Sequence, residues 1–227
     1  MTTDDSQPAH PRTRFTEPTD FGYLYLGFRI APPKRAPFVR ADGERRRVLE
    51  SCERQARRLA SLSEVMTATV YEAVLIPPVE GSPKFDALVL VQTASPESIP
   101  EVEAAEAYQA MAPDFAMAAR NLRRIGDIDR DHAGAFLFNH FTAADPAAAL
   151  RTWEDVTGWF VDEARVEDSA LLQPIRESPY ALVNHVRLPT GPIRFMLNFA
   201  KPSFRASVAA KLKAEGIGNA PVICRTR

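Results

Sequence analysis

The sequence predicts an α+β protein made of two successive βαββαβ units with antiparallel sheets. Three observations lead to this fold class. Short stretches rich in β-branched and aromatic residues alternate with amphipathic helical stretches along the whole chain. Proline pairs and Ser-Pro or Asp-Pro steps mark the ends and beginnings of these stretches. The order of strands and helices in the second half of the chain is the same as in the first half.

The first unit is expected to span residues 21–130, after a polar, proline-rich tail (residues 1–20) that we expect to be disordered. Its long helix carries apolar residues at helical spacing and a strongly charged opposite face. Ser95 and Pro96 are typical of a helix start. In order, the predicted elements are a strand in GYLYLGFRI, a helix over about residues 42–63, strands in TATVYEAVLI and KFDALVLVQTA, a helix over residues 101–111 that resumes to about residue 122, and a short strand in RRIGDID.

The second unit is expected to span residues 131–227 and to follow the same order. Asp145 and Pro146 form another helix start, and Gly216 is placed to end the last helix. In order, the predicted elements are a strand in AGAFLFNHFTA, a helix over about residues 146–164, one bent or two short strands in ALLQPIRESPYALVNHVRLP, a strand in IRFMLNF paired across the turn PTGP, a helix from about residue 201 to 216, and a strand in APVICRTR.

Composition excludes several classes of partner. The net charge of −1 gives no electrostatic reason to expect nucleic acid or an anionic membrane as a partner. No apolar run approaches the roughly 20 residues that cross a bilayer, and the first residues lack the apolar core of a secretory signal. Two cysteines form no disulfide framework, so a reducing cytoplasmic location is expected. Abundant Ala, Arg and Pro are typical of a GC-rich bacterial gene.

This element order resembles the dimeric α/β-barrel superfamily in its tandem form. The resemblance covers about residues 21–227 and rests on the succession of strands and helices. It implies two ferredoxin-like sheets that pack face to face as one barrel with helices outside. A tandem repeat can complete such a barrel within one chain, so the protein is expected to be a monomer or a homodimer.

A repeated Asn-His dipeptide is the most distinctive local feature, with Asn139-His140 in AGAFLFNHFTA and Asn184-His185 in YALVNHVRLP. Alternate residues of a strand point to opposite faces. Phe136, Phe138 and His140 therefore share one face of their strand. The same rule, applied to the predicted hairpin, places four polar residues on one surface, namely His185, Arg187, Arg194 and Asn198. A lumen with aromatic walls and a few polar groups is typical of a small-molecule pocket.

Resemblance to the antibiotic-biosynthesis monooxygenases implies cofactor-independent oxygenation or isomerisation of an aromatic or polyketide-like substrate. In this hypothesis His185 is the catalytic base, assisted by His140. The residues predicted to bind substrate are Arg187, Arg194, Asn198, Tyr25, Arg29 and Glu72. The alternative for both histidines is a structural role in the core. For Glu72 the alternative is an ion pair with an arginine such as Arg29.

Two other function classes stay open. One is a non-catalytic ligand-binding or scaffolding barrel with a filled lumen. The other is a haem-binding barrel, because resemblance to chlorite dismutase and to haem-degrading oxygenases implies an axial histidine on a helix. The predicted helices contain no histidine, since His10 lies in the tail and His132 in a loop. Two strand histidines without an obvious carboxylate partner also fall short of a metal site. We therefore expect no cofactor and no metal.

Overall fold

The computed structural model describes residues 10–34, 37–128 and 133–227, and in these residues eight antiparallel strands form one closed barrel. The strands are β1 (Gly22–Phe28), β2 (Val65–Leu75), β3 (Ala87–Thr93), β4 (Phe115–Ile125), β5 (Ala135–Thr142), β6 (Ser169–Pro174), β7 (Leu182–Arg187) and β8 (Gly218–Thr226). The α-helices are α1 (Gly43–Leu59), α2 (Ile99–Ala104), α3 (Glu106–Gln109), α4 (Pro146–Glu163), α5 (Pro192–Met196), α6 (Pro202–Phe204) and α7 (Ala210–Ala214).

The strands follow one another around the barrel in the order β1, β3, β2, β8, β5, β7, β6 and β4, and β4 pairs with β1 to close it. The pairs β2–β8 and β4–β6 join strands of the first half of the chain to strands of the second half. The two sheets expected from the sequence are therefore continuous at both edges and form a single wall. In the described part of the chain every strand therefore has a partner on both sides along part of its length, and the barrel has no edge strand.

Side chains of all eight strands alternate between the lumen and the helices outside. The lumen is lined by large rings and small residues that pack together, and two separate apolar layers lie between the barrel wall and the helices of each half. Residues that represent the lumen cluster, strand by strand from β1 to β8, are Tyr25, Tyr71, Leu88, Met117, Phe138, Leu172, Val183 and Val222.

The long helices begin at capping residues visible in the sequence. The Asp42 carboxylate accepts a hydrogen bond from the backbone N–H of Arg45 at 2.9 Å, and α1 follows it. The Asp145 carboxylate accepts from the N–H of Ala147 at 2.8 Å, with Pro146 as the first helical residue of α4. Both contacts satisfy backbone donors that have no partner within the helix.

The segment IRFMLNF is not a strand, and this prediction was wrong. It forms α5 and a 3₁₀ turn, Leu197–Ala200, because Pro192 starts a helix after Gly191. The alternating apolar pattern also fits helical spacing, since Phe195 is buried and Phe199 packs beside it one turn later. The hairpin of the second half is instead formed by β6 and β7, which pair with each other.

The helix predicted to resume to about residue 122 was also wrong, because residues 115–125 form β4. This segment is rich in alanine, the best helix former, so local propensity favoured a helix. The barrel overrides that propensity: β4 bonds to β1 on one side and to β6 on the other, and Met117 and Ala119 fill the lumen. The short strand predicted in RRIGDID is the end of β4.

Part of the predicted tail lies against the second half of the barrel. Phe15 stacks on Trp153 of α4 with ring centroids 5.6 Å apart, and Thr16 bridges to Arg124. Residues 1–9 of that tail lie outside the described residues. Among the helices in the described part of the chain, none is long and apolar enough to cross a bilayer.

Candidate functional site

His140 lies in the lumen and is fully buried. Its Nδ1 is 2.9 Å from the carbonyl oxygen of Ala220, and its Nε2 is 2.7 Å from the hydroxyl of Tyr25. Because a carbonyl can only accept, Nδ1 carries the proton and Nε2 accepts from the tyrosine. Burial lowers the pKa of His140 to about 4 and raises the pKa of Tyr25 well above its usual value. Both groups are therefore neutral and saturated with hydrogen bonds.

His185 lies in the same lumen, and aromatic rings cover it. Its ring stacks on Phe138, with centroids 4.6 Å apart and planes 13° apart, and also on Phe136 at 5.2 Å. Its Nε2 is 3.2 Å from the hydroxyl of Tyr71. The rings around the two histidines contact one another across the lumen, so side chains fill the space in which a substrate was expected. This arrangement matches the hypothesis of a filled lumen, in which His185 packs against aromatic side chains.

The free energy of unfolding should depend on pH because His140 is uncharged in the folded protein. Its pKa in the folded protein is about 4, whereas a histidine in an unfolded chain has a pKa of about 6.5. Between about pH 4 and pH 6.5 the unfolded chain binds a proton that the folded chain does not. The free energy of unfolding therefore decreases as the pH falls from 6.5 towards 4, by about 3 kcal/mol in total.

Urea unfolding at several pH values between 7 and 5 measures this dependence. His140→Gln, which keeps an amide donor and acceptor, should flatten the profile. An unchanged slope in the His140 variant would contradict the assignment.

The arginines and the asparagine predicted to surround His185 are dispersed. Arg187 follows His185 on β7, and its guanidinium lies 3.6 Å from the Asp168 carboxylate. Arg194 is exposed on α5, and the Asn198 amide donates to the carbonyl of Phe195 in the same helical segment. The prediction that Arg194 and Asn198 share a strand face with His185 was wrong, because their segment is helical.

Glu72 and Arg29 do not form the predicted ion pair. Glu72 points outward from β2, where Arg45 of α1 approaches one carboxylate oxygen at 3.1 Å and Arg225 approaches the other at 3.0 Å. Arg227 adds a contact of 3.4 Å. Arg29 instead donates to the carbonyl of Pro83 and lies over the Phe85 ring. Glu72 is thus held by other arginines, outside the lumen that contains Tyr25 and both histidines.

A cavity in the described residues lies outside the lumen, between the second half of the barrel wall and its helices. It has a volume of about 620 Å³, which is in the range of small-molecule sites. Its floor is the outer face of β5 and β7, and α4 to α7 surround it. Apolar side chains form most of the lining, among them Leu137, Trp153, Phe195, Phe199 and Val208.

The two asparagines of the repeated dipeptide lie side by side on the floor of this cavity. Asn139 of β5 is the register partner of Asn184 of β7. In the orientation that satisfies its whole amide, Asn184 donates to Ser169 Oγ at 2.7 Å and accepts from Trp153 Nε1 at 3.2 Å. Asn139 differs: its Oδ1 is buried, and no group in the described residues donates to it. A buried acceptor without a donor costs about 1–3 kcal/mol, so a bound ligand that supplies hydrogen bonds would recover stability.

The sequence held a signal for this site that the predicted catalytic residues did not use. In a strand the neighbour of a lumen residue faces the helices, so a histidine in the lumen places its asparagine outside. Asn184, the neighbour of His185, lies on that helix-facing side. The cavity itself could not be foreseen, because it depends on how α5, α6 and α7 stand away from the wall.

One group of possible metal ligands occurs among the described residues. His10, Asp162 and Glu163 offer atoms within 4.8 Å of one another near the end of α4. Their contacts already satisfy them, since His10 bonds to Asp162 and Glu163 bonds to Lys201. The group therefore fastens the N-terminal segment and α6 to α4.

The comparisons with known proteins establish the fold. No protein-family model and no curated protein match the chain. Among solved structures it is similar to an anthrone oxidase-like protein, with a TM-score of 0.60 and 10% identity over 91% of this chain and 92% of that one. A proposed monooxygenase from Fusobacterium nucleatum has a TM-score of 0.55 and 8% identity over 91% of each chain. A proposed chlorite dismutase has a TM-score of 0.53 and 10% identity over 92% of this chain and 95% of that one. The chain has the dimeric α/β-barrel fold of these proteins.

The cavity does not fit haem. Haem iron is held by histidine, cysteine, tyrosine, or methionine together with histidine. Of these types, only Met196 lines the cavity within the described part of the chain. His140 and His185 lie on the other face of the barrel wall. The orphaned amide oxygen of Asn139 also calls for a hydrogen-bonding ligand rather than for a metal porphyrin.

Proposed function

We propose that this protein binds an apolar small molecule of aromatic or polyketide-like dimensions in the cavity between the second half of the barrel wall and its helices. The observation that carries the proposal is the apolar cavity of about 620 Å³ with the buried, unpartnered Oδ1 of Asn139 on its floor. A ligand with a carbonyl or hydroxyl group suits this floor, because rotating an amide by 180° offers either an N–H donor or an oxygen acceptor.

Binding is better supported than acid–base catalysis. Among the described residues that line the cavity there is no histidine, carboxylate, cysteine or tyrosine, and Lys213 at the rim is the only ionisable side chain. General acid–base catalysis needs a titratable group within hydrogen-bond reach of the reacting atom. His185 as base and His140 as its assistant stay a hypothesis that would require the lumen to open.

Oxygenation is the second candidate, because the chain is similar to an anthrone oxidase-like protein and to a proposed monooxygenase. Anthrone is an apolar tricyclic ketone and fits the chemistry proposed for the cavity. Oxidation of anthrone by O₂ gives anthraquinone and water, and the substrate supplies all the electrons. O₂ consumption in the presence of anthrone tests this activity directly, and isomerisation of the substrate would leave the O₂ concentration unchanged.

We also propose that residues 21–130 and 131–227 are two ferredoxin-like repeats. The strand order within each half supports this, because β4, β1, β3 and β2 lie side by side in the same relation as β8, β5, β7 and β6. Since the barrel closes within one chain, the site needs no second copy, and either a monomer or a homodimer would serve. Both cysteines are free and buried, which suits the expected cytoplasmic location.

Filling the cavity should abolish ligand binding. Ala209 lines the cavity, whereas its neighbour Ala210 is exposed on the same helical segment. We expect Ala209→Trp to weaken anthrone binding at least about tenfold, because the indole occupies ligand volume, and Ala210→Trp to bind like the wild type. Isothermal titration calorimetry measures both affinities. Equal binding by the two variants would place the ligand elsewhere.

In the same assay Asn139→Leu should weaken anthrone binding about five- to tenfold, since the amide N–H of Asn139, rotated towards the cavity, can no longer donate a hydrogen bond to the ketone.

A further inference from the structure

A second, smaller cavity of about 200 Å³ lies beside the apolar cavity, and Pro77 and Val79 line both of them. The smaller cavity also contacts Lys34, Ser82 and Lys84. These residues come from the loops that follow β1 and β2. The chemical character therefore changes across the shared wall, from apolar in the large cavity to cationic in the small one.

The side chains of Lys34 and Lys84 are exposed, and within the described ranges neither lysine forms an ion pair. By contrast, Lys201 contacts the Glu163 carboxylate at 3.0 Å, and Lys211 lies 4.0 Å from the Asp155 carboxylate. Lys34 and Lys84 thus bring two positive charges, neither of them in an ion pair, to one small concave site, and Glu80 lies in the same loop as Lys84.

Two further observations indicate a built site. The hydroxyl oxygen of Ser82 is buried and has no hydrogen-bond partner among the described residues. Lys84 has a φ of 55°, in the left-handed region, which costs an ordinary residue about 1–2 kcal/mol. A lysine is therefore held in a conformation that glycine or asparagine would adopt more readily, and its ammonium borders the cavity.

We propose that the ligand of the apolar cavity is an amphipathic anion, whose apolar body lies in the large cavity and whose carboxylate lies in the small one between Lys34 and Lys84. Ser82 Oγ donates a third hydrogen bond to the carboxylate. This inference rests on the proposed function and adds the class of ligand to it. The ammonium groups recognise charge rather than a fixed shape, because lysine acts as a flexible point charge.

A pair of matched fluorescent probes tests the proposal. Pyrenebutyrate carries a carboxylate, and pyrenebutanol has the same apolar body with a neutral hydroxyl. We expect the wild type to bind the anion about tenfold more tightly than the alcohol at low salt, and the difference to shrink as the salt concentration rises. Pyrenebutylamine, a cation with the same body, should bind least well. Fluorescence anisotropy measures all three affinities.

Substitutions that remove charge show which residues cause the preference for the anionic probe. The double variant Lys34→Gln and Lys84→Gln should bind pyrenebutyrate about tenfold more weakly than the wild type does, and should bind pyrenebutanol with unchanged affinity. Ser82→Ala should lose part of the same preference without loss of thermal stability, because its hydroxyl has no partner to lose. Lys211→Gln removes one charge from an exposed residue that lines neither cavity, and it should leave the preference for the anion unchanged.

Each outcome is decisive. If the wild type binds the anion and the alcohol equally, or if the double variant keeps the preference, the carboxylate site is wrong while the proposed function stands. If neither probe binds, the proposed function itself fails. Dodecyl phosphate in place of the carboxylate distinguishes the headgroups, since tighter binding of the phosphate would overturn the assignment to a carboxylate.

Discussion

Replacing Phe138 by alanine is expected to lower the free energy of unfolding by about 3–5 kcal/mol, a large share of the stability of a typical domain. Phe138 is fully buried at the centre of the lumen. Its ring contacts His185 at 4.6 Å, Tyr71 at 5.0 Å and Tyr25 at 5.3 Å between centroids. These neighbours project from a closed wall that cannot collapse, so the substitution leaves an empty space.

Leu137→Ala is the matched control for Phe138→Ala. Leu137 precedes Phe138 on β5 and faces the large cavity, where part of its surface already lacks packed neighbours. Leu137→Ala should lower the free energy of unfolding by about 2 kcal/mol, the lower end of the range for such truncations. Urea unfolding measures both changes, and anthrone affinity should respond to Leu137→Ala alone. Equal costs, or altered ligand affinity in Phe138→Ala, would show that the lumen is not the solid core described above.

Removing the charge of Glu72 is expected to cost about 3–5 kcal/mol, the second large effect. Glu72 and Arg45 are both buried; Nη2 of Arg45 contacts Glu72, and its Nε and Nη1 atoms have no hydrogen-bond partner among the described residues. Glu72→Gln keeps the shape of the side chain but leaves the buried guanidinium without a counter-charge. Thermal unfolding should show a midpoint lower by about 10 °C, since a chain of this length loses about 2–4 °C per kcal/mol.

Glu106→Gln provides the comparison for an exposed ion pair. Glu106 contacts Arg58 at 3.0 Å, but its side chain is 83% exposed. Solvent screens such pairs, so the change in stability should stay within about 0.5 kcal/mol. If Glu72→Gln were as mild as Glu106→Gln, the buried network would not stabilise the junction of α1, β2 and β8.

Glu72 and its arginines add a second pH dependence to the free energy of unfolding at acid pH. Burial raises the pKa of Glu72, but the hydrogen bond from Arg225 and the charges of Arg225, Arg45 and Arg227 lower it below its usual value overall. A carboxylate with a lowered pKa contributes stability that is complete above about pH 4.5 and is lost as the pH falls further. This window lies below most of the window of His140, so the two groups can be separated by titration.

Local patterns were enough to predict the strands that line the lumen. β1, β5 and β7 are short, rich in aromatic and β-branched residues, and bounded by proline or turn residues, so their positions and faces followed from period-two alternation. The two strands that carry the Asn-His dipeptides, β5 and β7, are neighbours in the barrel. Helices α1 and α4 were equally predictable, because their capping aspartates and apolar stripes are local signals.

Segments with two compatible periodicities could not be resolved locally. Residues 193–199 alternate like a strand and also repeat like a helix, and residues 115–125 contain alanines that favour a helix. Their outcome depended on which position in the barrel wall remained to be filled. The candidate site was missed because the predicted catalytic residues were histidines, which lie in the lumen. The unpartnered amide oxygen of Asn139 lies on the other face of the same strand as His140.

The sequence by itself determined the α+β class, the order of most elements and the faces of strands such as β5 and β7, because these depend on neighbours within a few positions. Only the tertiary structure decided that the lumen is solid, that Glu72 pairs with arginines from α1 and β8, and that space remains between the outer wall and α4 to α7. Those features depend on contacts between residues far apart in the chain, and on how side-chain volumes from eight strands add up around one axis.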